Sequence, residues 1–299
     1  MDRLISEAKL LGVAVNCDAE GARLTTFGSG GRVKYLFCPS SVRETTDALK
    51  LLRSYGVPYR LIGGGSNVLL PDCGYAGALV KISLSGIGVC GNEVTADAGV
   101  KLPILSSTMA EKGLSGLEFA CGIPASVGGA VKTNAGAFGQ MISDVLTELI
   151  VLTHHGEVSI LPARRLKMGY HACLLPQGCV VLCAKFRLVA EDKAVILQRM
   201  QKMRERRRLT QPGGSSAGSV FQRVGETPAA VYVERTGLKG LRIGGAELSP
   251  KHCNFIVNKG GATTEDYFAV AERVKSRVLD ACGVSLTYEV ERICSPKSN

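Results

Sequence analysis

The chain has 299 residues, of which 45% are apolar and 21% charged, and it carries a formal net charge of +10. That is enough apolar content for one large domain or two to three modest ones with real cores. No apolar run reaches the roughly 18 residues of a membrane span, and Asp2 and Glu7 stand where a secretory leader would be basic and then greasy, so a cytoplasmic protein without membrane insertion is expected.

The charge implies affinity for anions. With no Trp and 5% aromatics the chain has little on which to stack bases, which argues against nucleic acid as the partner. Eleven cysteines are scattered with no Cys-x-x-Cys, so they read as reduced, packing residues, with neither a disulfide scaffold nor a metal site implied.

Read in chain order for period and punctuation, the sequence opens with a helix, then a strand in "GSGGRVKYLFCP", a helix over Val42 to Tyr55 and a strand over Tyr59 to Ile62. A turn at Gly63, Gly64 and Gly65 follows, then a strand near Ala78 to Ile82. From Ile87 the texture turns to β runs at Glu93 to Ala98, Val145 to Thr153, Glu157 to Leu161 and Val180 to Val189, around one helix near Leu102 to Lys112 and a long glycine-rich insert. After the basic run "RMQKMRERRRLTQP", "GGSSAG" marks a boundary, and the rest runs strand, helix (Ala229 to Thr236), strand (Asn254 to Asn258), helix and final strand. The late helix is the best signalled. Thr263 and Asp266 have capping-box spacing, and Phe268, Ala271, Val274, Val278 and Cys282 form an apolar stripe. The segments are therefore 1–84, 85–190 and 191–299, with a final strand free to return to the first.

Three glycine patterns invite a ligand. "GIGVCG", Gly86 to Gly91, matches G-x-G-x-x-G, but a dinucleotide fingerprint opens a helix, and the strand-like "NEVTADA" follows here, so a hairpin turn is expected. "RLIGGGSNVLLPD" and "GLEFACGIPASVGGAVKTNAGAFG" are harder to dismiss. The second is too apolar for a linker and too rich in glycine for a regular helix or strand. Backbone amides of two such loops can cradle a pyrophosphate without a lysine. The basic run is read first as a solvated helix face and second as a site for a phosphorylated small molecule.

Six stretches carry a resemblance: "LTTFGSGGRV", "LIGGGSNVLLPDCG", "GLEFACGIPASVGGAVKTNAGAFG", "QPGGSSAGSVFQRV", "GLKGLRIGGAELSPKHCNFIVN" and "YEVERI". Their order from Leu24 to Ile293 resembles the UDP-N-acetylenolpyruvoylglucosamine reductase family, flavoenzymes also called UDP-N-acetylmuramate dehydrogenases, in the compact subclass without an extra substrate-clamping loop. The resemblance implies an α+β fold. It would have two FAD-binding subdomains of the vanillyl-alcohol-oxidase (PCMH-type) kind and a C-terminal α+β substrate-binding domain.

It also implies noncovalent FAD with NADPH as reductant, UDP-N-acetylglucosamine enolpyruvate as substrate, and a monomer. Gly63, Gly64, Gly65, Ser66 and Asn67 would wrap the FAD pyrophosphate, with Gly122, Ile123, Pro124, Ser126, Val127 and Gly128 closing on the flavin. Ser219 occupies the proton donor's position and Glu289 the acidic, electrostatic one. The carbanion-like intermediate needs a proton placed at one carbon and polar groups that stabilise the carboxylate charge.

Where the family shows Tyr-Arg-x-Ser this chain has Tyr170-His171-Ala172-Cys173, a usual lysine is Thr210, and a usual proline is Val224. Histidine offers fewer donors than arginine and loses its charge near neutral pH. Three outcomes stay open: reduced or acid-shifted activity through protonated His171, compensation by Arg164 or Arg165, or lost turnover. Two readings stand beside the reductase: a flavin- and nucleotide-binding protein that no longer catalyses, and a related flavoprotein oxidase with another substrate.

Overall fold

The structure, a computed structural model, describes residues 3–296. Its backbone groups into two compact units, the first Met1–Asn16, Leu36–Gly64 and Ala78–Arg207, the second Cys17–Tyr35, Gly65–Gly77 and Arg208–Asn299. This grouping cuts across the three segments read along the chain, because Phe27 and Leu69, far apart in sequence, belong to the same core as the C-terminal residues.

In the first unit helix α1 (Arg3–Leu10) packs on α2 (Val42–Ser54). Ser41 caps α2 by accepting the Glu44 N–H, and Ala48, Leu49 and Leu52 turn inward as the helical period requires. The strand Tyr59–Ile62 pairs in parallel with Ala78 to Lys81. A five-stranded sheet is antiparallel throughout, in the order Val158–Pro162, Leu146–Leu152, Val180–Arg187, Glu93–Asp97, Ile87–Cys90. Its buried face meets α3 (Leu102–Glu111) and α4 (Val127–Lys132) in one core that includes Leu105, Met109, Val127, Val131, Leu149 and Phe186.

Two expectations are corrected here. "GIGVCG" supplies mostly the strand Ile87–Cys90, and only its last glycine, Gly91 at φ +56°, lies in the two-residue turn before Glu93. The second glycine tract, judged too rich in glycine for a helix, contains α4. Ser126 caps it by accepting the Gly129 N–H, and Val127, Ala130 and Val131 are fully buried. Burial of those side chains outweighs the ~1 kcal/mol that each helical glycine costs.

Helix α5 (Lys193–Thr210) carries the basic run and is not merely a solvated face. Ile196 and Met200 pack on Ala110 and Cys121. Arg199 pairs with Glu191 at 2.7 Å and with Glu118, which is 2% exposed and also accepts from the Ser115 hydroxyl and the Gly116 N–H. Those donors offset the cost of burying the carboxylate.

The second unit holds a four-stranded antiparallel sheet in the order Ser215–Ser219, Phe255–Asn258, Ala246–Leu248, Arg242–Ile243, with α6 (Ala229–Glu234) and α7 (Thr264–Cys282). The predicted stripe of α7 is buried at Phe268, Ala271, Val274 and Val278, worth about 1.5–3 kcal/mol for each large side chain. Its capping box forms between Thr263 and Asp266, and Gly283 ends it at φ +66°. Asp72 adds a second cap, accepting the N–H groups of Thr264 at 2.8 Å and Glu265 at 3.0 Å. The final strand, Glu291–Arg292, pairs in parallel with Val68–Leu69.

Candidate active site

In the first unit, Gly63 and Gly64 follow the strand Tyr59–Ile62 and meet the tract from Pro124 to Ser126. A Cβ at Gly63 would lie 2.7 Å from the Ser126 hydroxyl oxygen, and one at Gly64 would lie 2.9 Å from the Pro124 carbonyl oxygen and 3.3 Å from the Ser126 nitrogen. Only glycine lets these two backbones approach so closely. The opposing tract is itself held in register. Leu102 N–H donates to Ala125 O, Val127 N–H to Val100 O and Gly128 N–H to Ala98 O, all at 2.8–2.9 Å. Gly122 makes room for α5, since a Cβ there would lie 2.8 Å from Cδ of Arg207. That guanidinium is half-buried, and burial pulls its pKa down.

In the second unit Gly65 adopts φ +69°, and a Cβ on it would lie 1.9 Å from the Leu24 carbonyl oxygen. Its own carbonyl accepts the Thr26 N–H at 2.9 Å. Among the described residues, the N–H groups of Gly64, Gly65 and Ser66 donate to no backbone carbonyl. A run of amides left over in a glycine turn is the donor set an anion such as a diphosphate takes, so these residues fit the diphosphate of FAD.

The same unit brings the serine and the glutamate together. Ser219 ends the strand Ser215–Ser219 after a bulge in which Gly218 takes φ +76°. The next residues pair with the chain around Tyr288: Phe221 and Tyr288 face each other across a bridge, Glu289 N–H donates to Val220 O and Gln222 N–H to Thr287 O, both at 2.9 Å. Glu289 thus lies opposite Val220, one residue beyond Ser219 on the paired segment. Asn67 extends the ladder, its side chain donating to Glu289 O at 3.2 Å and its carbonyl accepting the Glu291 N–H at 2.9 Å. Gly218 lies within van der Waals reach of the Ser66 carbonyl, 3.7 Å from a notional Cβ.

His171 belongs to the first unit. Gly169 pairs with Ala172, so Tyr170 and His171 form the two-residue turn between Lys167–Gly169 and Ala172–Leu174, with His171 at φ +50°. The side chain of Asn134, just beyond α4, steadies this hairpin by donating to Gly169 O at 3.0 Å. Burial pulls the His171 pKa below its ordinary 6.5. The imidazole is therefore neutral at pH 7, which weakens the option that it stands in as a cation there. Arg164 and Arg165 are exposed in the short turn that leads into this hairpin, Thr210 is exposed, and Val224 packs against the core of the second unit.

No group of three or more His, Cys, Asp or Glu side chains suited to a metal occurs among the described residues, and none of the described helices is long and apolar enough to cross a membrane. Asn254, whose amide binds the backbone just after Ser219, and Arg207, beside Gly122, stand out only in the structure, since within "SPKHCNFIVN" and the basic run nothing separates them from their neighbours.

A glycine turn with spare amides suits the diphosphate of a flavin nucleotide, and the class of protein is a flavin-dependent oxidoreductase. Residues 33–161 match the FAD binding domain family, and residues 210–293 match the C-terminal domain family of UDP-N-acetylenolpyruvoylglucosamine reductase. The chain is 39% identical over 272 residues to the UDP-N-acetylenolpyruvoylglucosamine reductase of Clostridium kluyveri, covering 90% of each. It is 37% identical to the one of Bacillus subtilis over 98% of this chain and 99% of that one. The crystal structure of UDP-N-acetylenolpyruvylglucosamine reductase from Thermus caldophilus superposes with a TM-score of 0.82 at 33% identity, over 95% of this chain and 99% of that one. The protein belongs to the UDP-N-acetylenolpyruvoylglucosamine reductase family, and its α+β fold comprises an FAD-binding domain and the C-terminal domain of that family.

Proposed function

We propose that this protein reduces UDP-N-acetylglucosamine enolpyruvate to UDP-N-acetylmuramate, a step of peptidoglycan precursor synthesis, with FAD as cofactor and NADPH as reductant. The observation that carries this reading is that Ser219 adjoins Val220, the residue bonded to Glu289, on a ladder that Asn67 extends. Bound FAD supplies the relay that takes hydride from NADPH and passes it to C3 of the enolpyruvyl group.

Gly63, Gly64, Gly65, Ser66 and Asn67 hold the pyrophosphate through backbone amides and leave no side chain in its way. Gly122, Ile123, Pro124, Ser126, Val127 and Gly128 form the small-residue surface for the ring. Ser219 delivers its hydroxyl proton to C2 as C3 gains hydride. A serine hydroxyl is a weak acid in water, so its competence comes from placement against the developing carbanion. Glu289 orders the polar end of that segment and takes part in the proton balance. His171 meets the substrate carboxylate as a neutral hydrogen-bond donor at pH 7 and as a cation only in more acid solution. The basic balance of the chain suits a substrate with a diphosphate and a carboxylate.

Eleven unbridged cysteines suit a reducing compartment, and a cytoplasmic monomer is the working state, checked by light scattering. The function is tested anaerobically. The bound flavin is reduced with NADPH, excess reductant is removed, the enolpyruvyl UDP-sugar is added, and the return of oxidised-flavin absorbance is followed across pH. Rapid return that depends on the UDP-sugar is expected. A flavin that reduces and never reoxidises with this substrate overturns the assignment, and equal turnover with oxygen points to an oxidase.

A further inference from the structure

The strand carrying Ser219 loses its neighbour at the point where the chemistry needs it held. Ser215 and Ser216 pair with Asn258 and Val257, the bulge at Gly218 intervenes, and Ser219 faces Phe255 as the last pair of that ladder. Beyond it, Val220 and Phe221 have no further strand on that side, and Asn254 takes the strand's place. Its backbone carbonyl accepts the Val220 N–H at 2.9 Å, its side-chain Oδ1 accepts the Phe221 N–H at 3.0 Å, and its Nδ2 donates to the Phe221 carbonyl at 2.9 Å.

One amide side chain thus reproduces both halves of a backbone pairing. Asn254 is 6% exposed and Phe221 1% exposed, so water cannot replace either bond, and a lost partner leaves a desolvated polar group. On the opposite side Val220 O accepts the Glu289 N–H, Gln222 N–H donates to Thr287 O, and Phe221 faces Tyr288 across a bridge, so the segment after Ser219 is held on both sides. The peptide between Ser219 and Val220 sets the direction in which the serine Cα–Cβ bond leaves the chain, and a tilt there swings the hydroxyl.

We infer that Asn254 is a positioning residue for proton delivery by Ser219, fixing the peptide plane that aims the hydroxyl. This inference rests on the donor reading of Ser219. Asn254→Asp keeps the acceptor for the Phe221 N–H and sets an anionic oxygen against the Phe221 carbonyl. A displacement on the order of 1 Å in a reacting group costs about 100-fold in rate. At pH 8, N254D is therefore expected to slow reoxidation of the reduced flavin by the enolpyruvyl UDP-sugar about 100-fold. NADPH reduction of the flavin and the affinity for the UDP-sugar should stay within about twofold, because positioning of the hydroxyl enters neither.

Protonation returns the missing donor, so the ratio of N254D to wild-type rate should climb as the pH falls, and hydrogen exchange at the Phe221 amide should be faster in the variant at pH 8. The double variant with Ser219→Ala should be no slower than Ser219→Ala alone. If Ser219→Ala slows reoxidation and N254D does not, Asn254 is not a positioning residue and the serine reading stands. If Ser219→Ala itself leaves reoxidation unchanged, the serine reading falls and this inference falls with it. Equal slowing of both half-reactions by N254D, or a double variant slowed by the product of the single effects, makes Asn254 a general structural residue and overturns the inference. Should N254D fail to hold flavin at pH 8, Asn254→Ser, which leaves one hydroxyl for Phe221, carries the same comparison.

Discussion

The hairpin that presents His171 and the strand that presents Ser219 are built to different tolerances. His171 sits at the apex of a two-residue turn joining two three-residue strands, with the Asn134 amide bonded to one carbonyl at its base. Ser219 leads into a segment bonded on one side to Thr287 and Glu289 and on the other to Asn254. Under the roles proposed for Ser219 and His171, the difference matches two unequal demands of the chemistry. Proton delivery to a carbon tolerates little misalignment, whereas charge on a carboxylate can be met by any donor of about the right polarity. A short turn accepts a changed residue with little effect on packing, and that is the place where this chain departs from its family's arginine.

The contrast can be broken most sharply at the rigid end. Ser219→Ala should lower kcat about 1,000-fold while flavin content, read from absorbance at fixed protein concentration, is unchanged. His171→Ala at the tolerant end should cost only about tenfold in kcat/KM, and His171→Arg should raise kcat/KM at pH 8 and flatten its pH profile. If the alanine variants fall equally, the two corners do not differ as described.

Gly64→Ala tests the close approach of the two turns. Its Cβ would press on the Pro124 carbonyl at 2.9 Å, and a repacking cost of about 1–3 kcal/mol should weaken FAD binding about tenfold or more, measured by fluorescence titration of the apoprotein. The smallest effect is on acid stability. Burial lowers the folded-state pKa of both His171 and His252 below the ordinary 6.5. Each therefore binds less proton when folded than unfolded, and the resulting stability is present above about pH 6.5 and is lost as the pH falls through and below that value. The urea midpoint should decline between pH 7 and pH 5, with a shallower slope in His171→Asn.

Much of this was legible before any coordinates. The α7 cap and stripe declare a helix because Thr263, Asp266 and the apolar period agree with each other. Three consecutive glycines beside an apolar strand are legible as a turn built for geometry or for a ligand, and it is the FAD binding domain family match over residues 33–161 that brings the cofactor. Helix α4 was hidden because propensity speaks against it and only the burial of Val127 and Val131 brings it about. Asn254 was hidden for a related reason: the pattern reads it as the first residue of the strand Asn254 to Asn258, and its amide's role is seen only beside a backbone with no strand partner. The reduced charge of His171 was also out of reach, since it depends on burial and not on neighbours in sequence.

The carboxylate of Asp72 reaches the start of α7 across 192 positions in the chain, and the last strand closes on Val68 and Leu69. This has a consequence for biosynthesis. A ribosome delivers the "GGGSN" turn early, after the Leu24 and Thr26 that hold Gly65, but Glu289 and Glu291, which bond Asn67, leave the exit tunnel at the very end. The nascent chain cannot complete the ladder through Asn67 until translation is essentially over, so under the role proposed for Asn67 cofactor capture is an event of the released polypeptide.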